Sequence, residues 1–127
     1  MSSESGAERI SVLRLGDVLI AAIQQELTDQ SALALQQDLT EMAAAGARGV
    51  IIEISGVEII DSFLARILSE IAAVTSMLAG RTVIAGMRPS VAITLVEMGL
   101  SLRGLRTARS LEDALAILGH SGPQASR

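Results

Sequence analysis

Apolar positions along the chain change period several times. Ile10, Val12, Leu13 and Leu15 alternate weakly, Gly16-Asp17 interrupts them, and Val18–Ile23 follows as a second apolar run. Two short runs around a Gly-Asp pair predict a β-hairpin over 10–15 and 18–23. Beyond Asp29 the spacing lengthens: Ala32, Leu35, Leu39 and Met42 recur at helical intervals. This predicts a helix over 30–45, with Asp29 as its cap and Gly46 as its stop. Val50–Ile54 is a β-branched run holding one charge, Glu53, and reads as a strand covered on both faces. Val57–Ile60 leads to Asp61, a candidate N-cap for a helix over 62–78 that ends before Gly80. Thr82–Ala85 is a further buried strand. Pro89 suits the first turn of a helix over 90–98, closed by Gly99. A short edge strand is expected over 105–108, then a helix capped by Ser110 and running through Leu118. The order β-β-α-β-α-β-α-β-α predicts an α/β domain, a mixed sheet with four helices packed on it.

Residues 1–8 and 119–127 are polar and expected to be disordered and flexible, respectively, which leaves one domain over 9–118. A chain of 127 residues fits a single domain. Ten Lys and Arg against 14 Asp and Glu give a net charge of -4, and Phe63 is the single aromatic residue. Nucleic-acid binding wants a basic face and stacking aromatics, so that class is not expected. The N-terminus is polar and acidic, unlike a secretory signal, and no run of roughly 20 apolar residues stands out. A cytoplasmic protein with no membrane contact is the expectation. Apolar residues make up 50% of the chain, which favours assembly with other subunits over a solitary life.

Catalysis has little to work with. There is no cysteine, no lysine, and the single histidine, His120, stands in the polar C-terminal stretch. A serine nucleophile needs such a base beside it. Neither GxxxxGK[ST] nor GxGxxG occurs, so no cofactor is expected, and no metal site either. The absence of a nucleophile–base pair points to a binding module.

The helix beginning at Ser62 is the informative element. On a helical projection, Leu64, Ile67, Leu68, Ile71, Val74, Thr75 and Leu78 form one apolar stripe. Ser62, Ala65, Arg66, Ser69, Ala72, Ala73 and Ser76 fall opposite. A solvated helix face ordinarily carries several charges. This one is mostly Ala and Ser, so it reads as a contact surface, although Ala's high helix propensity would also favour a bare Ala-rich helix. Ser62 can be read as a capping hydroxyl or as a phosphoryl acceptor. A phosphate there would meet the positive end of the helix dipole, with Arg66 one turn on as a local partner and Glu58 and Asp61 opposing it.

Gly49-Val50-Ile51-Ile52-Glu53-Ile54, followed by Val57-Glu58-Ile59-Ile60-Asp61-Ser62-Phe63, resembles the signature of STAS domains, the anti-sigma-factor-antagonist family. The resemblance extends from Ile10 to Leu118. Leu15-Gly16-Asp17, Gly46-Ala47-Arg48-Gly49-Val50, Asp61-Ser62-Phe63-Leu64-Ala65 and Gly86 with Pro89 are similar to the RsbS-type stressosome subgroup. Simple antagonists of the family usually carry Ser or Thr with Gly after the Asp-Ser pair, whereas Phe63-Leu64 follows here. The resemblance implies a scaffold that forms homo- or hetero-oligomers with larger RsbR-type co-antagonist paralogues. It implies sequestration of an RsbT-type serine kinase, its release when Ser62 is phosphorylated, and resetting by a phosphatase. It also raises Thr94 as a second acceptor, though a helical threonine often bonds its own backbone. A simple antagonist that binds an anti-sigma kinase directly, and a STAS subunit of a transporter or ligand sensor, are the alternatives.

Overall fold

The computed structural model describes residues 10–24, 28–99 and 106–119. Five strands form one sheet in the order β1-β2-β3-β4-β5: Val12–Leu15, Val18–Ala22, Gly49–Glu53, Thr82–Ala85 and Arg106–Ala108. β1 is antiparallel to β2 through the Gly16-Asp17 turn, where Gly16 takes a φ of 62° that a side chain would resist. β2 through β5 are parallel, with Leu19 opposite Val50 and Val50 opposite Thr82. Four helices connect and follow them: α1 (Asp29–Ala44), α2 (Ser62–Ala79), α3 (Pro89–Glu97) and α4 (Leu111–Ile117).

The near-continuous apolar character of β2, β3 and β4 follows from burial on both faces. Side chains alternate across the sheet. Leu19, Ala21, Val50, Ile52, Ile54 and Ile84 enter a core shared with α1 and α2, to which α3 adds Val91 and Leu95. Val18, Ile20, Ile51, Val83, Ala85 and Ala108 face the other way, under Ala114 and Leu118 at the α4 end. Gly49 leaves room for Leu118, since a Cβ there would stand 2.9 Å from its Cδ1. Arg48 fastens the same corner, donating to the Leu118 carbonyl at 3.1 Å and pairing with Asp17 at 2.9 Å.

The element order expected from the sequence is the one observed. Some details differ. Thr28, not Asp29, caps α1, in a reciprocal capping box with Ser31: the Ser31 N–H donates to Thr28 Oγ1 at 3.0 Å and the Thr28 N–H to Ser31 Oγ at 2.9 Å. Asp29 occupies the first turn instead, where its charge suits the helix dipole. Leu105, at the start of the expected edge strand, and both chain ends lie outside the described residues. α2 is long and apolar enough by length and composition to cross a bilayer, which the sequence pattern does not suggest. Leu64, Ile67, Leu68 and Ile71 of its apolar stripe are buried in the core, as in an ordinary core helix.

The C-terminal part of α2 reaches β4 through one buried polar contact. Thr75 donates its hydroxyl to the Ile71 carbonyl at 2.8 Å, and Thr75 Oγ1 lies 2.8 Å from Thr82 Oγ1. Thr82 therefore depends on Thr75 as acceptor, whereas Thr75 keeps Ile71 without Thr82. Thr75→Val strands a buried hydroxyl and is expected to cost about 1–3 kcal/mol. Thr82→Val is expected to cost less than about 1 kcal/mol, and the double variant less than Thr75→Val alone. Urea unfolding of the three variants measures the ordering.

Candidate functional site

Because β2 to β5 are parallel, their carboxyl ends lie along one edge of the sheet, where the starts of all four helices also gather. The β3–α2 connection, residues 54–61, crosses this edge. Its path is pinned at several points. The Val57 N–H donates to the Ile54 carbonyl at 2.9 Å, and the Val57 and Ile60 side chains are buried. Gly56 passes so close to the β2–α1 connection that a Cβ would lie 2.8 Å from the Gln24 Cα. From the neighbouring β4–α3 connection, Arg88 Nε donates to the Ser55 carbonyl at 2.9 Å. Ser90 Oγ lies at 3.5 Å from the Glu58 carbonyl, the long limit of such a bond.

Gly86 makes that neighbouring connection possible. It takes a φ of 76°, and a Cβ would fall 2.6 Å from Glu53 Oε2. Glu53, half-buried at the end of β3, turns the same oxygen towards the Ser55 N–H at 3.4 Å. Gly86 thus lets the β4–α3 connection pass close to the end of β3 and the start of the β3–α2 connection.

Asp61 is the N-cap of α2. Its carboxylate accepts from the Leu64 N–H at 2.8 Å, with φ and ψ of -107° and 178°. Ser62 is thus the first residue of the helix, exposed, and its hydroxyl has no hydrogen-bond partner among the described residues. The capping reading of Ser62 fails because Asp61 already does that work. Glu58, Asp61 and Arg66 are exposed, and Arg66 forms no ion pair among the described residues. Phe63 is half-buried against the core beneath them.

The predicted contact face needs correction. Ala65 and Ala72 are each 1% exposed and belong to the buried side of α2. Ala65 joins the core cluster that holds Ala32, Leu35 and Leu39 of α1. The small side chains there let the two helices approach each other, which a projection of one helix alone does not reveal. Leu78, placed in the apolar stripe, is 42% exposed, and Val74 is half-buried. The outer surface of α2 carries Ser62, Arg66, Glu70, Ala73 and Met77, with Ser69 and Ser76 half-exposed at its margins. It is narrower than expected and includes a charge, Glu70. Thr94 is half-exposed and donates to the Ser90 carbonyl at 3.0 Å, the backbone bond that makes a helical threonine unremarkable.

Arg88, Ser90 and Ile59 were not among the residues marked from the sequence. Arg88 and Ser90 are drawn to the site by strand order, which brings β4 beside β3. Ile59 carried no signal that separates it from Ile60. A cavity of about 460 Å³ between α3 and β5, lined by Met87, Leu95, Val96 and Arg109 among others, contains none of the residues around Ser62. Among the described residues no cluster of three or more His, Asp or Glu side chains could hold a metal ion.

Residues 9–114 match the STAS domain family. RsbS of Moorella thermoacetica, solved as a serine-to-glutamate variant, superposes with a TM-score of 0.78 at 38% identity, over 87% of this chain and 95% of that one. A chain of the stressosome, described as a signal integration and transduction hub, gives a TM-score of 0.75 at 40% identity, over 86% and 96%. The RsbT co-antagonist protein RsbRD of Bacillus subtilis is 38% identical over 68 residues, 54% of this chain. That match spans 24% of RsbRD's length.

The geometry separates two roles for neighbouring side chains. Asp61→Ala removes the cap and is expected to cost about 1 kcal/mol of unfolding free energy. Ser62→Ala removes a hydroxyl without a partner and is expected to stay within about 0.5 kcal/mol of wild type. Chemical denaturation of both variants checks this, and an equal loss for Ser62→Ala would restore the capping role.

Proposed function

The chain belongs to the STAS domain family, and within it we propose that this protein is a non-enzymatic stressosome scaffold and antagonist whose switch is phosphorylation of Ser62. The unphosphorylated form holds a serine kinase of the RsbT type. Transfer of phosphate to Ser62 releases the kinase, and a phosphatase restores the starting state. Larger RsbR-type co-antagonists share the assembly, which works in the cytoplasm. The reading is supported by the likeness to RsbS and to a stressosome chain over nearly their whole lengths.

The observation that carries it is the unengaged, exposed hydroxyl of Ser62 at the first position of α2, beside a cap supplied by Asp61. A phosphoryl acceptor must be reachable and must not be needed for the fold, and Ser62 meets both conditions. A phosphate there adds about 1.5 to 2 negative charges at a helix start, where the first turn has no acidic side chain of its own. The helix dipole favours it by roughly 0.3–1 kcal/mol, so α2 stays folded. Arg66, one turn on and exposed, is placed to pair with it. Release then follows from the surface and not from unfolding. A partner seated over Ser62 would have to strip water from the new charges, which weakens binding.

Incubated with ATP and a serine kinase of the RsbT type, the wild-type chain is expected to take up phosphate and Ser62→Ala none. Equal incorporation by both, followed by mass spectrometry, would move the acceptor elsewhere. Ser62→Asp is expected to weaken kinase capture, by less than phosphate does because it carries less charge. Copurified with RsbR-type paralogues, the chain is expected in a particle of roughly megadalton size by light scattering, in keeping with an assembly of many STAS subunits. A lone subunit exchanging with one kinase would point to a simple antagonist.

A further inference from the structure

Ile59 is 85% exposed, the highest value among the large apolar side chains of the described residues. It lies three residues before Ser62, between the buried Val57 and Ile60. An exposed apolar side chain on a mobile loop is ordinary. This loop is held instead. Arg88 binds the Ser55 carbonyl, Ser90 approaches the Glu58 carbonyl, the Val57 N–H meets Ile54, and Asp61 is committed to capping α2. The backbone on both sides of Ile59 is thereby tethered, and its side chain projects into solvent from a held segment. An apolar group carried on a backbone already held in place loses less backbone entropy when it docks.

We propose that Ile59 is the apolar anchor by which this domain docks the serine kinase that phosphorylates Ser62. The proposal rests on the reading of Ser62 as the phosphoryl acceptor and names the contact that reading lacks. Three residues of chain place the Ile59 and Ser62 Cα atoms within about 11 Å of each other. An interface of standard size covers about 800 Å² per partner, a patch of roughly 16 Å radius. A kinase interface of that size centred on the Ser62 hydroxyl extends as far as Ile59. Glu58 and Asp61, both exposed, flank the anchor. The complementary surface is a shallow apolar pocket with a basic rim. Phosphate on Ser62 lands at the margin of that pocket, where water would have to be removed from it, and this ties release to the anchor's own contact.

The kinase and the full-length chain supply the test. Ile59→Ala is expected to raise the KM for phosphorylation of Ser62 about tenfold or more, with kcat changed little, and to weaken kinase capture by a similar factor. Its melting temperature should match wild type, because the side chain packs against almost nothing. Ile59→Val should retain most of the affinity. Leu13→Ala is the control: Leu13 is 62% exposed on β1, opposite Ile20, which faces the α4 side of the sheet. It should change neither constant. Ile59→Ala within twofold of wild type, while Ser62→Asp still weakens capture, overturns the anchor and leaves the switch standing. An equal loss in Leu13→Ala overturns it too, since the effect would then not be local. A wild-type chain that neither binds the kinase nor accepts phosphate overturns the switch and the anchor together.

Discussion

Everything at the candidate site depends on the parallel pairing of β2, β3 and β4 with both faces buried. Parallel strands must be joined by crossovers, and burial on both faces requires helices on each side. The result is that four helix starts meet at one edge of the sheet. Ser62 occupies that edge because β3 ends there. Arg88 and Ser90 come within reach because β4 is hydrogen-bonded to β3, with Glu53 opposite Ala85. No local feature of the β3–α2 segment accounts for this company.

The division of labour between Asp61 and Ser62 is the chemical counterpart. Two adjacent side chains compete for one structural task, and the carboxylate takes it by accepting from Leu64. The hydroxyl is left without a structural duty. Under the proposed function, a phosphate on Ser62 would change the surface charge without disturbing the fold, since the group that holds the helix is Asp61. The fixed loop upstream matters for the same reason. Val57 and Ile60 anchor the surface beside Ser62 in the core.

The outer face of α2 carries less than its composition suggests. Its alanines serve two different ends. Ala65 and Ala72 are buried, Ala65 in the core it shares with α1, and Ala73 alone of the three is exposed. The surface that α2 exposes lies near its start and along Arg66, Glu70 and Met77, not along a wide strip of small residues. This shifts attention from the middle of the helix to the loop that precedes it.

The sequence by itself determined the order of elements, the doubly buried strands and the helix starting at Ser62. Those features rest on local periodicity: period two in the strands, 3.6 in the helices, and glycines such as Gly80 and Gly16 at backbone angles few other residues adopt. The pairing of Asp61 with the start of α2 was legible for the same reason, since a cap acts three residues away. The Thr28 cap of α1 is local too, through the hydroxyl of Ser31 three residues on, but Asp29 beside it is an equally ordinary cap residue and the pattern alone does not choose between them. Tertiary structure decided that Ala65 and Ala72 of the small-residue face are buried, because a single helix projection does not say where α1 will lie. It also decided that Ile60 turns into the core while Ile59, its identical neighbour, turns out. Side-chain direction in an irregular segment has no period to read. Here Ile60 joins the core, while the backbone before it is tethered by Arg88 and Ser90, some 30 positions away.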